Sequence, residues 1–171
     1  MKTALMATAA CALLAACSTT PQTKPEAAAA PKAAATPSPV AAGETEAQRL
    51  GRIAAALADK SIYFDYDNFA VKSQYQDLVR QDAGQLQSAP QLALRLEGNA
   101  DERGSTEYNL ALGQKRAEAV RRALAVLGVP DARMEAVSYG KERPRAQCHE
   151  EKCWAENRRV DLVARKADAA K

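Results

Sequence analysis

The sequence predicts an α+β fold, a two-layer α/β sandwich with helices packed on one face of a small sheet. Three observations predict it. Apolar and polar residues alternate with period two in three short runs, the mark of half-buried strands, and a fourth strand-like run, at 134–140, precedes the last of them. Stripes of apolar residues at helical spacing lie between the first three of those four runs in chain order. Strand-like and helix-like segments follow the order β-α-β-α-β-β over about two thirds of the chain, which is enough for one core.

The elements follow in order. A helix is expected to begin near Glu44, since Leu50, Ile53, Ala54 and Leu57 recur at helical spacing. SIYFDYD, at 61–67, puts Ile62, Phe64 and Tyr66 on one side of a strand. Residues 73–87 carry Tyr75, Leu78, Val79, Ala83 and Leu86 as a helical stripe, and Pro90 punctuates. QLALRLE, at 91–97, alternates again with Leu92, Leu94 and Leu96 inward. Residues 106–127 form the longest helix, with Gly113, Ala117, Val120, Leu124 and Leu127 along one face, Gly128 at its end and Pro130 beyond. MEAVSYG (134–140) and RVDLVAR (159–165) are two further strands.

Upstream the chain reads differently. MKTALMATAACALLAAC has one Lys and then an uncharged apolar run too short to span a bilayer, the layout of a secretory signal at 1–16. It ends Leu14-Ala15-Ala16-Cys17, which resembles a bacterial lipobox. Cys17 would become the lipidated N-terminus, and Cys11 is the weaker candidate. Two or more acyl chains anchor a protein stably, so no mature transmembrane segment is needed. Ser18 follows in place of the Asp that retains lipoproteins at the inner membrane, which favours the outer membrane. Residues 17–55 are assigned to the lipidated cysteine and a tether. Five of the eight prolines stand between 18 and 43 among alanines and small polar residues, too little apolar surface to offset the entropy of ordering. The folded domain is placed at 56–171.

Composition narrows the function. A net charge of +3 and 5% aromatic residues, with no basic run among them, argue against nucleic acid. One histidine, His149, argues against histidine catalysis or a multi-histidine metal site. No cofactor is implied.

The densest charge lies in the turn after the second strand, at Asn99, Asp101, Glu102, Arg103 and Ser105. Asp101 stands just past a strand end, where ligand sites gather in sheets flanked by helices. Asn109 and Arg116, seven residues apart, share a helical stripe with Leu112 at the edge of the core. A guanidinium there needs a partner, and its planar fork suits a carboxylate. An acid and a base across a short gap would match a ligand with both ammonium and carboxylate.

GNADERGSTEYNLALGQKRAEAV (98–120) resembles the signature of the OmpA-like C-terminal domain family, and within it the peptidoglycan-associated lipoproteins. YFDYD before the first domain helix, VSYGKERP (137–144) and NRRVDLV (157–163) extend the resemblance over about 60–165. It implies an OmpA-like sandwich that is not an enzyme and that binds the peptidoglycan stem peptide at its diaminopimelate residue. By matching positions, Asp101 would hold the ammonium and Arg116 the carboxylate. Asn109 would line the pocket, Phe64 and Asp65 would border it, and Arg103, Gly104 and Ser105 would complete the rim. Asn99 stands where the family usually has His, and so cannot become cationic. The resemblance further implies a Tol-Pal role with TolB as a partner, supporting envelope integrity and cell division.

Structural readings stand beside these. The strand pattern favours Phe64 as a core residue over a ligand contact, Glu102 reads as a solvated side chain or the partner of an Arg, and Arg158 as structural. Asp65 and Asp67 could suggest acid/base work, but no nucleophile stands near. Cys148 and Cys153 lie in a polar loop of a chain expected in an oxidising compartment, so a disulfide is expected and a metal site is not. The rivals are another OmpA-like lipoprotein of a secretion or motility machine and a peptidoglycan hydrolase.

Overall fold

The computed structural model describes residues 43–167. The signal segment, Cys17 and most of the tether fall outside the described residues. In chain order come α1 (Glu46–Ala58), β1 (Ser61–Tyr63), α2 (Gln76–Ser88) after one 3-10 turn (Ser73–Tyr75), β2 (Leu92–Asn99) and α3 (Thr106–Val126). A second 3-10 turn (Asp131–Arg133), β3 (Met134–Gly140), α4 (Glu151–Asn157) and β4 (Arg159–Lys166) complete it.

The sheet runs β1-β4-β2-β3, with β2 and β3 parallel and the other pairs antiparallel. A parallel pair needs a crossover, and α3 supplies it. Register then sorts the side chains. Leu92, Leu94 and Leu96 of β2 share one face with Leu162 and Val160 of β4 and Ile62 of β1. That face meets Val79, Ala83 and Leu86 of α2, Ala117, Val120 and Leu124 of α3, and Ile53 and Leu57 of α1 in one buried cluster. The opposite face is polar: Arg95 pairs with Glu135, and Arg145 and Arg159 both pair with Asp161.

Three expectations change. First, α1 begins at Glu46, inside the stretch assigned to the tether, so the fold starts ahead of residue 56. A capping box between Thr45 and Gln48 starts the helix, and burial of Ile53 and Leu57 holds it. Second, β1 stops at Tyr63 and the chain turns, with Asp67 in left-handed backbone at φ 51°. Third, the polar loop before the last strand contains α4, whose seven residues are too few to show a stripe.

One core position is unfavourable. Asp82 of α2 is fully buried, and neither carboxylate oxygen has a hydrogen-bond partner. Burial pushes its carboxyl up to about 6, partly offset by Lys60. Between about pH 4 and 6 the folded chain therefore binds more protons at this site than the unfolded chain, so stability falls as pH rises through that window. Asp82→Asn is expected to stabilise the protein at pH 7.5 by about 1.5 kcal/mol after allowing for solvent screening, or roughly 3–6 °C. Below about pH 4 wild-type Asp82 is itself neutral, and the gain should vanish. Thermal melts at both pH values check this; equal gains at both would contradict it.

Candidate functional site

The turn between β2 and α3 is anchored first by backbone. The Ala100 N–H donates to the Gly140 carbonyl (2.7 Å), which pins the end of β2 to β3. Asp101 comes next and is buried. Its Oδ1 accepts from the Arg103 backbone N–H (3.1 Å) and Nε (3.2 Å), and its Oδ2 accepts from terminal nitrogens of Arg103 (2.6 Å) and Arg158 (3.3 Å). Burial alone would raise the Asp101 carboxyl, but these donors outweigh it and hold it below the usual carboxylate range. All four lone-pair sites of the carboxylate are engaged. Gly104 then takes φ 89°, a conformation that suits glycine, and Ser105 caps α3 by accepting the Tyr108 N–H.

Arg116 lies two turns into α3 beyond Asn109 and is fully buried. Its partners are not carboxylates. Nε donates to the Asn68 carbonyl (2.8 Å), one terminal nitrogen to that of Asn99 (3.0 Å) and the other to that of Asp65 (3.0 Å). These bonds tie β2, α3 and the loop after β1 together at one side chain. Burial, aided by neighbouring Arg158, lowers the guanidinium to about 10, so it stays cationic at neutral pH. Among the described residues no carboxylate forms an ion pair with it. Three of five N–H donors are committed and two are not.

Those two features meet at a cleft of about 50 Å³. Asp101, Leu112 and Arg116 line it together with Tyr66, Asp67, Arg103, Gly104, Tyr108 and Asn109. Such a volume admits the end of one side chain. Asp101 and Arg116 therefore converge on one space and are not bonded to each other. Asn109 is buried and donates to the Arg103 carbonyl (2.8 Å), fixing the turn. Arg103 is sandwiched between aromatic rings, its guanidinium carbon 4.0 Å from the Tyr66 ring centre and 4.1 Å from that of Trp154.

Four of the expected site residues do not line the cleft with their side chains. Phe64 is core: just past the end of β1 its N–H donates to the Arg158 carbonyl (2.9 Å), and its buried ring lies 5.4 Å beneath the Arg116 guanidinium. The Asp65 carboxylate is outside, paired with Lys72 (2.9 Å); only its carbonyl serves the site, by holding Arg116. The Asn99 side chain turns toward the polar sheet face and Asp161, as the two-residue period of β2 requires, while its carbonyl also holds Arg116. Ser105 is a cap.

Conversely, Tyr66, Asp67 and Tyr108 line the cleft although they were not among the expected site residues. Asp67 accepts the Tyr108 hydroxyl and is exposed, so it is the carboxylate here with acceptor capacity to spare. Its signal was present in the second half of YFDYD, where the strand reading obscured the turn. Glu102 is held by Trp154 Nε1 (2.7 Å) and His149 (2.8 Å), which lower its carboxyl, and not by an arginine. Cys148 and Cys153 are bonded, with Cα atoms 5.6 Å apart.

Comparison with known proteins gives this geometry a family. The peptidoglycan-associated lipoprotein of Brucella melitensis is 49% identical over 102 residues, covering 60% of this chain and 61% of that protein. That of Pseudomonas aeruginosa is 48% identical over 109 residues, 64% of each. The chain thus spans less than two thirds of these relatives. The crystal structure of the Burkholderia pseudomallei peptidoglycan-associated lipoprotein superposes with a TM-score of 0.61 at 61% identity, covering 62% of this chain and 90% of that one. The C-terminal domain of Helicobacter pylori MotB, at 21% identity and a TM-score of 0.59 over 64% of this chain and 86% of its own, shares the fold alone. Residues 63–159, more than half of the sequence and all of the cleft, match the OmpA family model, and the chain belongs to the OmpA family.

Proposed function

We propose that the protein is a non-enzymatic envelope lipoprotein that holds peptidoglycan non-covalently by the diaminopimelate end of its stem peptide. One observation carries the reading: Arg116 is a buried cation that lines a cleft, with three of its five N–H donors bonded to carbonyls and no carboxylate ion-pair partner among the described residues. A buried charge left unpaired is costly, so the cleft favours an incoming carboxylate. Asp67, at the mouth, has lone pairs free for the ligand ammonium, and Asp101 sets the position of Arg103 beside it. The names of the relatives support the same class of ligand. Lipid on Cys17 would hold the other end at the outer membrane, and the Pro/Ala-rich tether would span the gap. In this reading the chain works with TolB and the other Tol-Pal proteins in envelope integrity and in outer-membrane invagination during division.

Lysine differs from diaminopimelate at the side-chain end by lacking the carboxylate. Full chain mixed with sacculi and centrifuged is therefore expected to pellet with diaminopimelate-type walls and to stay in solution with lysine-type walls. Equal pelleting with both would remove Arg116 from the recognition. Asp67→Asn should weaken retention about tenfold, as for loss of one charge-assisted hydrogen bond, with an unchanged melting temperature because the side chain is exposed.

A further inference from the structure

Behind Arg103, one of the residues that line the cleft, lies α4, an element that cannot stand alone. With seven residues, α4 is far shorter than an isolated helix needs, and its N-cap Glu150 gives no side-chain cap. Two devices stand at its ends. At its C-terminal end the Asn157 side chain accepts from the backbone N–H groups of Arg145 (2.7 Å) and Ala146 (3.0 Å) and donates to the Ala146 carbonyl (2.7 Å). At its N-terminal end there is the Cys148–Cys153 disulfide. The residue after Cys153 is Trp154, whose ring stacks on Arg103 while its N–H holds Glu102. Two residues before Cys153, Glu151 pairs with Arg158 and reaches Arg103 (3.7 Å). Every contact from the first turns of α4 to the ligand turn therefore lies within two residues of one sulfur.

We infer that this disulfide sets the grip of the cleft through Trp154. Oxidised, it fixes the start of α4 and presses Trp154 against Arg103. Reduced, it frees residues 148–154, Arg103 loses one of its two stacking partners, and retention of the ligand weakens. Trp154 acts here as a positioning residue. The exchange is an ordinary one with a dithiol. An external thiolate attacks the sulfur of half-buried Cys148, and buried Cys153 leaves as thiolate. The second thiol of the reductant then displaces Cys148. Two electrons and two protons pass to the protein, and the reductant closes its own disulfide.

The inference rests on the peptidoglycan reading, and the test keeps the two apart. The full chain in mild detergent is titrated onto diaminopimelate-type sacculi, oxidised and after dithiothreitol, with free thiols counted. Failure of the oxidised protein to bind defeats the peptidoglycan reading itself. With the oxidised protein bound, reduction is expected to weaken retention about fivefold, the worth of one partly desolvated cation–aromatic contact, while far-UV dichroism and a cooperative melt are kept. Oxidised Trp154→Ala should show the same loss, and reducing that variant should add less than about twofold, because both changes remove one contact. Equal binding of oxidised and reduced protein, additive losses in Trp154→Ala, or a loss that coincides with global unfolding would each overturn it.

Discussion

Arg116→Ala is expected to abolish retention on sacculi and to destabilise the fold together. The carbonyls of Asp65, Asn68 and Asn99 all turn inward to this one guanidinium. Each buried acceptor left without a donor costs about 1–3 kcal/mol, and the emptied volume adds to it. Removing a buried repulsion with Arg158 offsets a part. A net loss of about 3–5 kcal/mol follows, a large fraction of a small domain's stability. Loss of binding in this variant alone would thus say little about ligand contact. Arg116→Lys separates the roles. An ammonium keeps the charge and can reach one or two of the carbonyls, but it lacks the planar fork. The melting temperature should fall by only about half as much, while retention falls at least about tenfold, as for loss of a bidentate pair. Wild-type retention by Arg116→Lys would show that the cation is structural only.

This double duty explains what could and could not be read in advance. Strand and helix positions were legible because burial imposes its period on the residues. Leu92, Leu94 and Leu96 alternate, and Ala117, Val120 and Leu124 step, for the same physical reason that they are buried. Where no such period exists, reading failed. The seven residues of α4 show no stripe, and the turn at Asp67 breaks an alternation that continues on paper to Tyr66. At the site, Asp101, Arg103, Asn109 and Arg116 were legible as residue types with a chemistry. Their partners were not. The sequence marks Arg116 as a buried cation needing company, but that the company is three backbone carbonyls depends on how the loop after β1 returns over α3. Asp65 and Asn99 matter through their carbonyls, which every residue has, so no residue type could announce them.

The same dependence on backbone gives alanine opposite effects at different glycines. Parallel β2 and helix α3 cross at Gly98 and Gly113 with almost nothing between them. A Cβ on Gly98 would stand 1.9 Å from the Gly113 carbonyl oxygen, and one on Gly113 would stand 2.3 Å from Ser138 Oγ and 2.9 Å from the Gly98 oxygen. At Gly98 the obstacle is main chain, so the helix must move away. Gly98→Ala is expected to cost about 3 kcal/mol, on the order of 10 °C in melting temperature. Gly113→Ala should cost less, since the nearest atom belongs to a side chain that can rotate. Gly84 and Gly51 are exposed in helix interiors with nothing within 4 Å of a Cβ, and alanine there should stabilise by about 0.5–1 kcal/mol. The crossing also positions the site. Gly98 adjoins Asn99, whose carbonyl holds Arg116, and Gly113 lies one helical turn before Arg116. Forcing β2 and α3 apart separates the guanidinium from its acceptor, so Gly98→Ala should lose retention on sacculi even at temperatures where it remains folded. If the variant melts like wild type, or melts lower yet binds fully while folded, then the close approach does not place Arg116 and the cleft owes its shape to the loops alone.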